Sequence, residues 1–201
     1  MKKLFVLLLL AGALYWWQKP PVQTITLDAG DMANLSALTA GGVLEIAIPG
    51  ADMDYYDVGG STASEIRNNL NRSHRNGGFA GHTGWHVSWG WPGYGSSHCD
   101  LTAARLDTRL RVRLPRWVPP TNADPDLVLH WNNYAGSLAL HEQGHVQLAR
   151  QGFAKMQQIL QTSACDTAAA KLDAVLGEMR QADLRYDAET GHGTTQGAKF
   201  P

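Results

Sequence analysis

The stretch LALHEQGHVQLARQ, from Leu138 to Gln151, places two histidines four residues apart with a glutamate directly after the first. On a helix, residues four apart share a face, so His141 and His145 can offer ring nitrogens to one metal ion while Glu142 projects beside them toward a water. The surroundings predict such a helix. Both LHWNNYAGSLALHEQGHVQLARQGFAKMQQILQTSA (Leu129 to Ala164) and CDTAAAKLDAVLGEMRQADLRYDAE (Cys165 to Glu189) are rich in alanine, leucine and glutamine, lack proline and space their apolar residues helically. They read as two long helices with a short joint near Thr162 to Cys165.

A count along this hairpin selects further candidates. His141 lies 21 residues before Thr162, and Tyr186 lies 21 residues after Cys165. In an antiparallel pair of equal rise, the segment from Asp183 to His192 therefore returns to the level of the two histidines. It contains Asp183, Asp187, Glu189 and His192, any of which could complete three protein ligands and leave a fourth position for water. Gly144, inside the first helix, costs about 1 kcal/mol relative to alanine. Such a cost points to a packing or functional reason, for instance the close approach of another backbone.

Upstream of the hairpin the sequence reads as strands and turns. VQTITLD (Val22 to Asp28) and VLEIAIP (Val43 to Pro49) are rich in β-branched residues, and YYDVGGSTASEIRNNL passes from a strand into a helix whose Thr62 and Glu65 are spaced as a capping box. After a glycine-rich loop, Trp85, Val87, Trp89 and Trp91 alternate with smaller or polar residues. Tryptophans in that pattern are core more often than a carbohydrate-stacking face. From Arg105 to Leu114 the chain alternates again, with Leu106, Leu110, Val112 and Leu114 opposite Arg105, Asp107, Arg109, Arg111 and Arg113. This strand should pair with the tryptophan strand and turn its arginine row to solvent. The proline-punctuated LPRWVPPTNADPD closes the strand-rich half. The expected fold class is α+β, a small antiparallel sheet followed by a helical hairpin.

The N-terminus, MKKLFVLLLLAGALYWWQKPP, carries two lysines and then an apolar run of 14 residues, Leu4 to Trp17. That order is an export signal, and the run falls short of the roughly 20 residues of a spanning helix. Residues 1–20 are thus expected to be a signal peptide, or an N-terminal membrane anchor if retained, ahead of one domain over 21–201. The location implied is periplasmic or secreted, where Cys99 and Cys165 would form a disulfide. A net charge of −1 offers no basic excess for nucleic acid. His74, His82, His86, His98 and His130 lack ligand-like helical spacing and read as loop or surface residues.

With these residues assembled, the chain resembles a family of secreted bacterial zinc-dependent proteases, long catalogued as a domain of unknown function and grouped with the zincin metallopeptidases. The likeness covers most of the chain after the leader: GGSTASEIR, the tryptophan strand, Cys99, LRVRLPRW, HEQGH, Cys165 and above all the tail YDAETGHGTTQGAKFP. The resemblance implies a zincin-like fold and Zn2+ dependence without supplying a substrate. Carried over, it makes His141 and His145 zinc ligands and Glu142 the general base. For the third ligand His192 is preferred, because an imidazole just past a helix end can swing onto the metal, and Asp187 is the runner-up. Tyr186, or less favourably Tyr134, could donate to the tetrahedral oxyanion. The expected activity is hydrolysis of a protein or peptide substrate. A non-catalytic envelope-binding or structural protein with a metal-stabilised site is the alternative, as is hydrolysis of a non-peptide amide. Glu142 favours an enzyme, since a structural zinc site needs no base.

Overall fold

The computed structural model describes residues 21–27, 42–73, 79–96 and 98–201. The expected leader and His74 lie outside these residues. Two small sheets and three helices make up the described part, an α+β architecture. Strands β1 (Val22–Thr26) and β2 (Val43–Ala47) pair in parallel, from Val22 opposite Val43 to Thr26 opposite Ala47. A second sheet contains β3 (Asp52–Val58), β4 (His82–Gly90) and β5 (Arg105–Trp117) in the order β3-β5-β4.

The tryptophan strand β4 does run antiparallel to the arginine strand β5, with His82 opposite Arg113 and Gly90 opposite Arg105. The expectation of a wholly antiparallel sheet is corrected: β3 joins β5 in parallel, from Asp52 opposite Arg111 to Val58 opposite Trp117, and β1 and β2 form a separate parallel pair. Between β3 and β5 the chain builds α1 (Ala63–Ser73) and β4, which is ample length for a parallel crossover. Alternation sets the face each side chain occupies. It leaves strand direction open.

The capping box forms as read: Thr62 Oγ1 accepts from the Glu65 N–H at 3.2 Å, and Glu65 Oε2 accepts from the Thr62 and Ser61 N–H groups at 3.3 and 2.7 Å. It starts α1 so that Ile66 and Leu70 are buried. Helix α2 spans Pro125–Thr162 and begins four residues before the expected start, because Asp124 caps it through the Asp126 N–H at 2.9 Å and Pro125 occupies the first turn. Helix α3 spans Cys165–Thr190, so the joint falls where the composition placed it.

Leu110, Val112 and Leu114 of β5 are buried against the helices, and Trp117 and Trp131 are each 1% exposed. Trp85, Val87 and Trp89 pack half-buried against the same core. The arginine row faces out, where Arg113 lies 3.6 Å from Asp54 in an exposed pair worth little. Cys99 and Cys165 form a disulfide that ties the segment after β4 to the start of α3. Among the described residues no helix is long and apolar enough to cross a membrane.

Candidate metal centre

Helix α3 returns along α2 in reverse order: Lys155 meets Glu178, His145 meets Asp183 and His141 meets Asp187. His141 and His145 project from α2 into this seam and Glu142 toward Thr83 of β4, all three buried. Asp187 Oδ1 lies 3.2 Å from His141 Nε2 and 3.0 Å from His145 Nε2, and the ligand atoms of these three residues lie within 4.8 Å of one another. The equal-rise count along the hairpin thus locates Asp183 and Asp187 correctly.

The outer nitrogens are held as well. His145 Nδ1 lies 3.0 Å from Asp183 Oδ1, and Asp183 Oδ2 accepts from Trp85 Nε1 at 2.7 Å. His141 Nδ1 lies 3.0 Å from Gln196 Oε1 and 3.3 Å from Thr190 Oγ1. An ionised carboxylate only accepts, so His145 Nδ1 carries a hydrogen and its Nε2 lone pair faces the Asp187 oxygen. Two acceptors in contact need a proton or a metal ion between them. Burial opposes a second proton on His145, but Asp183, Asp187 and Glu142 together raise its pKa above the ordinary value. Burial instead lowers that of His141, with only partial opposition from Gln196 and Asp187. Two imidazoles, one carboxylate and carboxylate or amide groups behind the imidazoles are a donor set that fits a divalent metal such as zinc.

His192 stands beside this cluster. Its ring is half-exposed, packs on Phe79 with centroids 4.2 Å apart, and places Nδ1 3.3 Å from Asp187 Oδ1. Glu189 is exposed on α3. Glu142 is 3% exposed, and its Oε2 accepts from Thr83 Oγ1 at 2.6 Å. Gly81 leaves it room, since a Cβ there would stand 2.4 Å from Glu142 Oε1. Burial pushes the Glu142 pKa up to about 7, against the Thr83 hydrogen bond and the charge of His145.

The ring of Tyr186 stacks on His141 at 5.1 Å and meets His145 edge-on at 4.9 Å. Its hydroxyl lies over Gly144, where a Cβ would come within 2.1 Å, and accepts from Gln196 Nε2 at 3.0 Å. The close approach expected at Gly144 is therefore made by a side chain. Glu142, His141 and His145 open into a cleft of about 540 Å³ walled by Arg67, Phe79, Tyr134 and Phe200, and the Tyr186 hydroxyl is not part of its lining. Tyr134 is buried in an aromatic cluster with Trp131 and Phe200. Of the other histidines, His82, His86, His98 and His130 are exposed, and His82 lines the cleft.

Trp85, Thr83 and Gln196 escape a sequence reading because their partners lie 98, 59 and 55 residues away. One signal was present for Asp183: it precedes Asp187 by four, the spacing of His141 and His145, as facing helices require. The chain matches the family described as bacterial protein of unknown function (DUF922) over residues 53–193, more than half its length. The chain belongs to this family. The DUF922 match takes in β5, α2 and α3 with the whole His141, His145 and Asp187 cluster, and ends before Gln196. No curated protein and no solved structure matches the chain.

Proposed function

We propose that the protein is an exported, zincin-like, zinc-dependent hydrolase of peptide bonds. The observation that carries this reading is the pairing of a convergent His141, His145 and Asp187 donor set with a buried carboxylate, Glu142, one residue away on the same helix. His141, His145 and Asp187 would hold the ion, with half-exposed His192 beside Asp187. Zinc held there supplies Lewis acidity, which brings water deprotonation toward neutral pH and polarises a carbonyl.

The chain's own residues supply the proton transfer. Glu142 takes the proton of the attacking water and returns it to the leaving amine. Thr83, through its hydrogen bond to Oε2, sets the rotamer of that carboxylate. Asp183 keeps the Nδ1 hydrogen on His145, and the Tyr186 ring braces both imidazoles from the side away from the cleft. The disulfide is compatible with export into an oxidising compartment.

The test is elemental analysis of the purified chain followed by hydrolysis of a fluorogenic peptide library. About one zinc per chain, retained in Glu142→Gln while hydrolysis is lost, is the expected result. Zinc binding without any hydrolysis would leave a metal-stabilised envelope protein, and no zinc after reconstitution would remove the metal centre.

A further inference from the structure

The residues after α3 fold back onto the metal helix. Gly193 and Gly197 have φ of +79° and +97°, and a Cβ would stand 3.0 Å from His141 Cβ at the first and 2.8 Å from Ser137 Oγ at the second. Phe200 then packs against the rings of Trp131 and Tyr134, with centroids 5.8 and 5.5 Å away. Between these anchors the 3-10 turn Thr194–Gln196 brings one side chain to the centre, Gln196, which bridges His141 Nδ1 and the Tyr186 hydroxyl.

Thr190 reveals the tautomer of His141. Its hydroxyl donates to the Tyr186 carbonyl at 2.7 Å, so toward His141 Nδ1, 3.3 Å away, the same oxygen only accepts. Nδ1 therefore carries the hydrogen, and the Nε2 lone pair is turned to the cluster. Thr190 makes a weak holder by itself, because its contact is long and its oxygen also accepts from the Gly193 N–H at 3.4 Å. Gln196 Oε1, at 3.0 Å, is the nearer acceptor.

We propose that Gln196 is a positioning residue of the metal centre: by accepting from His141 Nδ1–H it fixes the tautomer and ring plane of that ligand, which makes the C-terminal segment part of the site. The proposal rests on the metal-binding reading above. It treats the two imidazoles differently, giving His145 a charged holder on α3 and His141 a neutral one on the segment that follows.

Two variants of the full chain test it. Gln196→Met keeps the length of the side chain and removes the acceptor, whereas Gln196→Glu keeps an acceptor, and the Tyr186 hydroxyl can then donate to it. Zinc affinity is measured by competition with a chromophoric chelator, and the His141 tautomer by long-range proton–nitrogen NMR on the metal-free protein. Gln196→Met is expected to bind zinc roughly 10- to 100-fold more weakly and to lose the Nδ1–H preference, at an unchanged melting temperature of the metal-free chain. Gln196→Glu is expected to bind as the parent does. Unchanged affinity and tautomer in Gln196→Met would overturn the proposal, as would equal losses in both variants together with a lowered melting temperature. A parent chain that binds no zinc would sink the metal reading, and the tautomer measurement would still decide what Gln196 does to His141.

Discussion

Asp187 and His192 are five residues apart, yet the helix end separates their roles. Asp187 belongs to α3 and is held at the level of the two histidines by the packing of the hairpin, whereas His192 follows the Gly191 cap with φ of +53° and leaves its ring half in solvent. Asp187→Ala is accordingly expected to abolish stoichiometric zinc binding, and His192→Ala to retain it; metal analysis of both proteins after dialysis decides, and the reverse pattern would make His192 the ligand. Glu142 poses a different question, because its burial has a cost in the metal-free chain. A carboxyl whose pKa rises to about 7 on folding contributes stability that is fully present below its unfolded value of 4.5 and is lost as pH rises through about 7. Glu142→Gln removes that titration. In chelator, its melting temperature should gain on the parent's between pH 5 and pH 8, by on the order of 5 °C. A difference independent of pH would show that Glu142 ionises as freely as an exposed carboxylate.

At the scale of elements, the seam between α2 and α3 depends on the absence of a side chain at Gly144. A Cβ there would meet the Tyr186 hydroxyl at 2.1 Å and its ring carbons at 2.3 and 2.7 Å, and that ring cannot retreat without leaving His141. Gly144→Ala should therefore destabilise the chain by about 1–3 kcal/mol in spite of its better helix propensity. Tyr186→Leu should cancel most of that loss in a double-mutant cycle, and additive effects would show that Gly144 serves something other than this ring. The helical hairpin was legible because apolar spacing, absence of proline and a joint of matching composition all act within a few residues of each other. The same holds for the capping box at Thr62 and Glu65. Pro125 was misread as the end of the connection when it opens α2, since a proline that stops a helix also suits its first turn. The parallel direction of β3 was not legible: whether Asp52 or Val58 faces Arg111 depends on a crossover, and side-chain alternation is identical either way. For the site, residues at helical spacing were found from sequence. Trp85, Thr83 and Gln196 were not, because only the packing of sheet and tail against α2 brings them there.

For the molecule as a whole, the stabilising cross-link and the His141, His145 and Asp187 cluster lie at opposite ends of the hairpin. The 21 residues from His141 to Thr162 rise about 32 Å along α2, and the Cys99–Cys165 disulfide sits at the joint end. The cluster itself is closed by groups from four places, α2, α3, β4 and the C-terminal turn; of these only α3 contains a cysteine, Cys165, its first residue, 18 positions before Asp183. Global stability and metal affinity should therefore respond separately to reduction. A bridge across a sequence separation of 66 constrains the unfolded chain by about 4 kcal/mol on a chain-entropy account. The double variant Cys99→Ala with Cys165→Ala should accordingly lower the unfolding free energy read from urea denaturation by an amount of that order, with a slope at least as steep as the parent's because the unfolded chain is no longer cross-linked. Under native conditions the same variant should bind zinc with the affinity of the parent, because Asp187, Asp183 and Gln196 still meet the two histidines. A fall in zinc affinity parallel to the fall in stability would mean that the joint sets the alignment of α3 on α2. The site would then owe its geometry to the disulfide as much as to the packing around Tyr186.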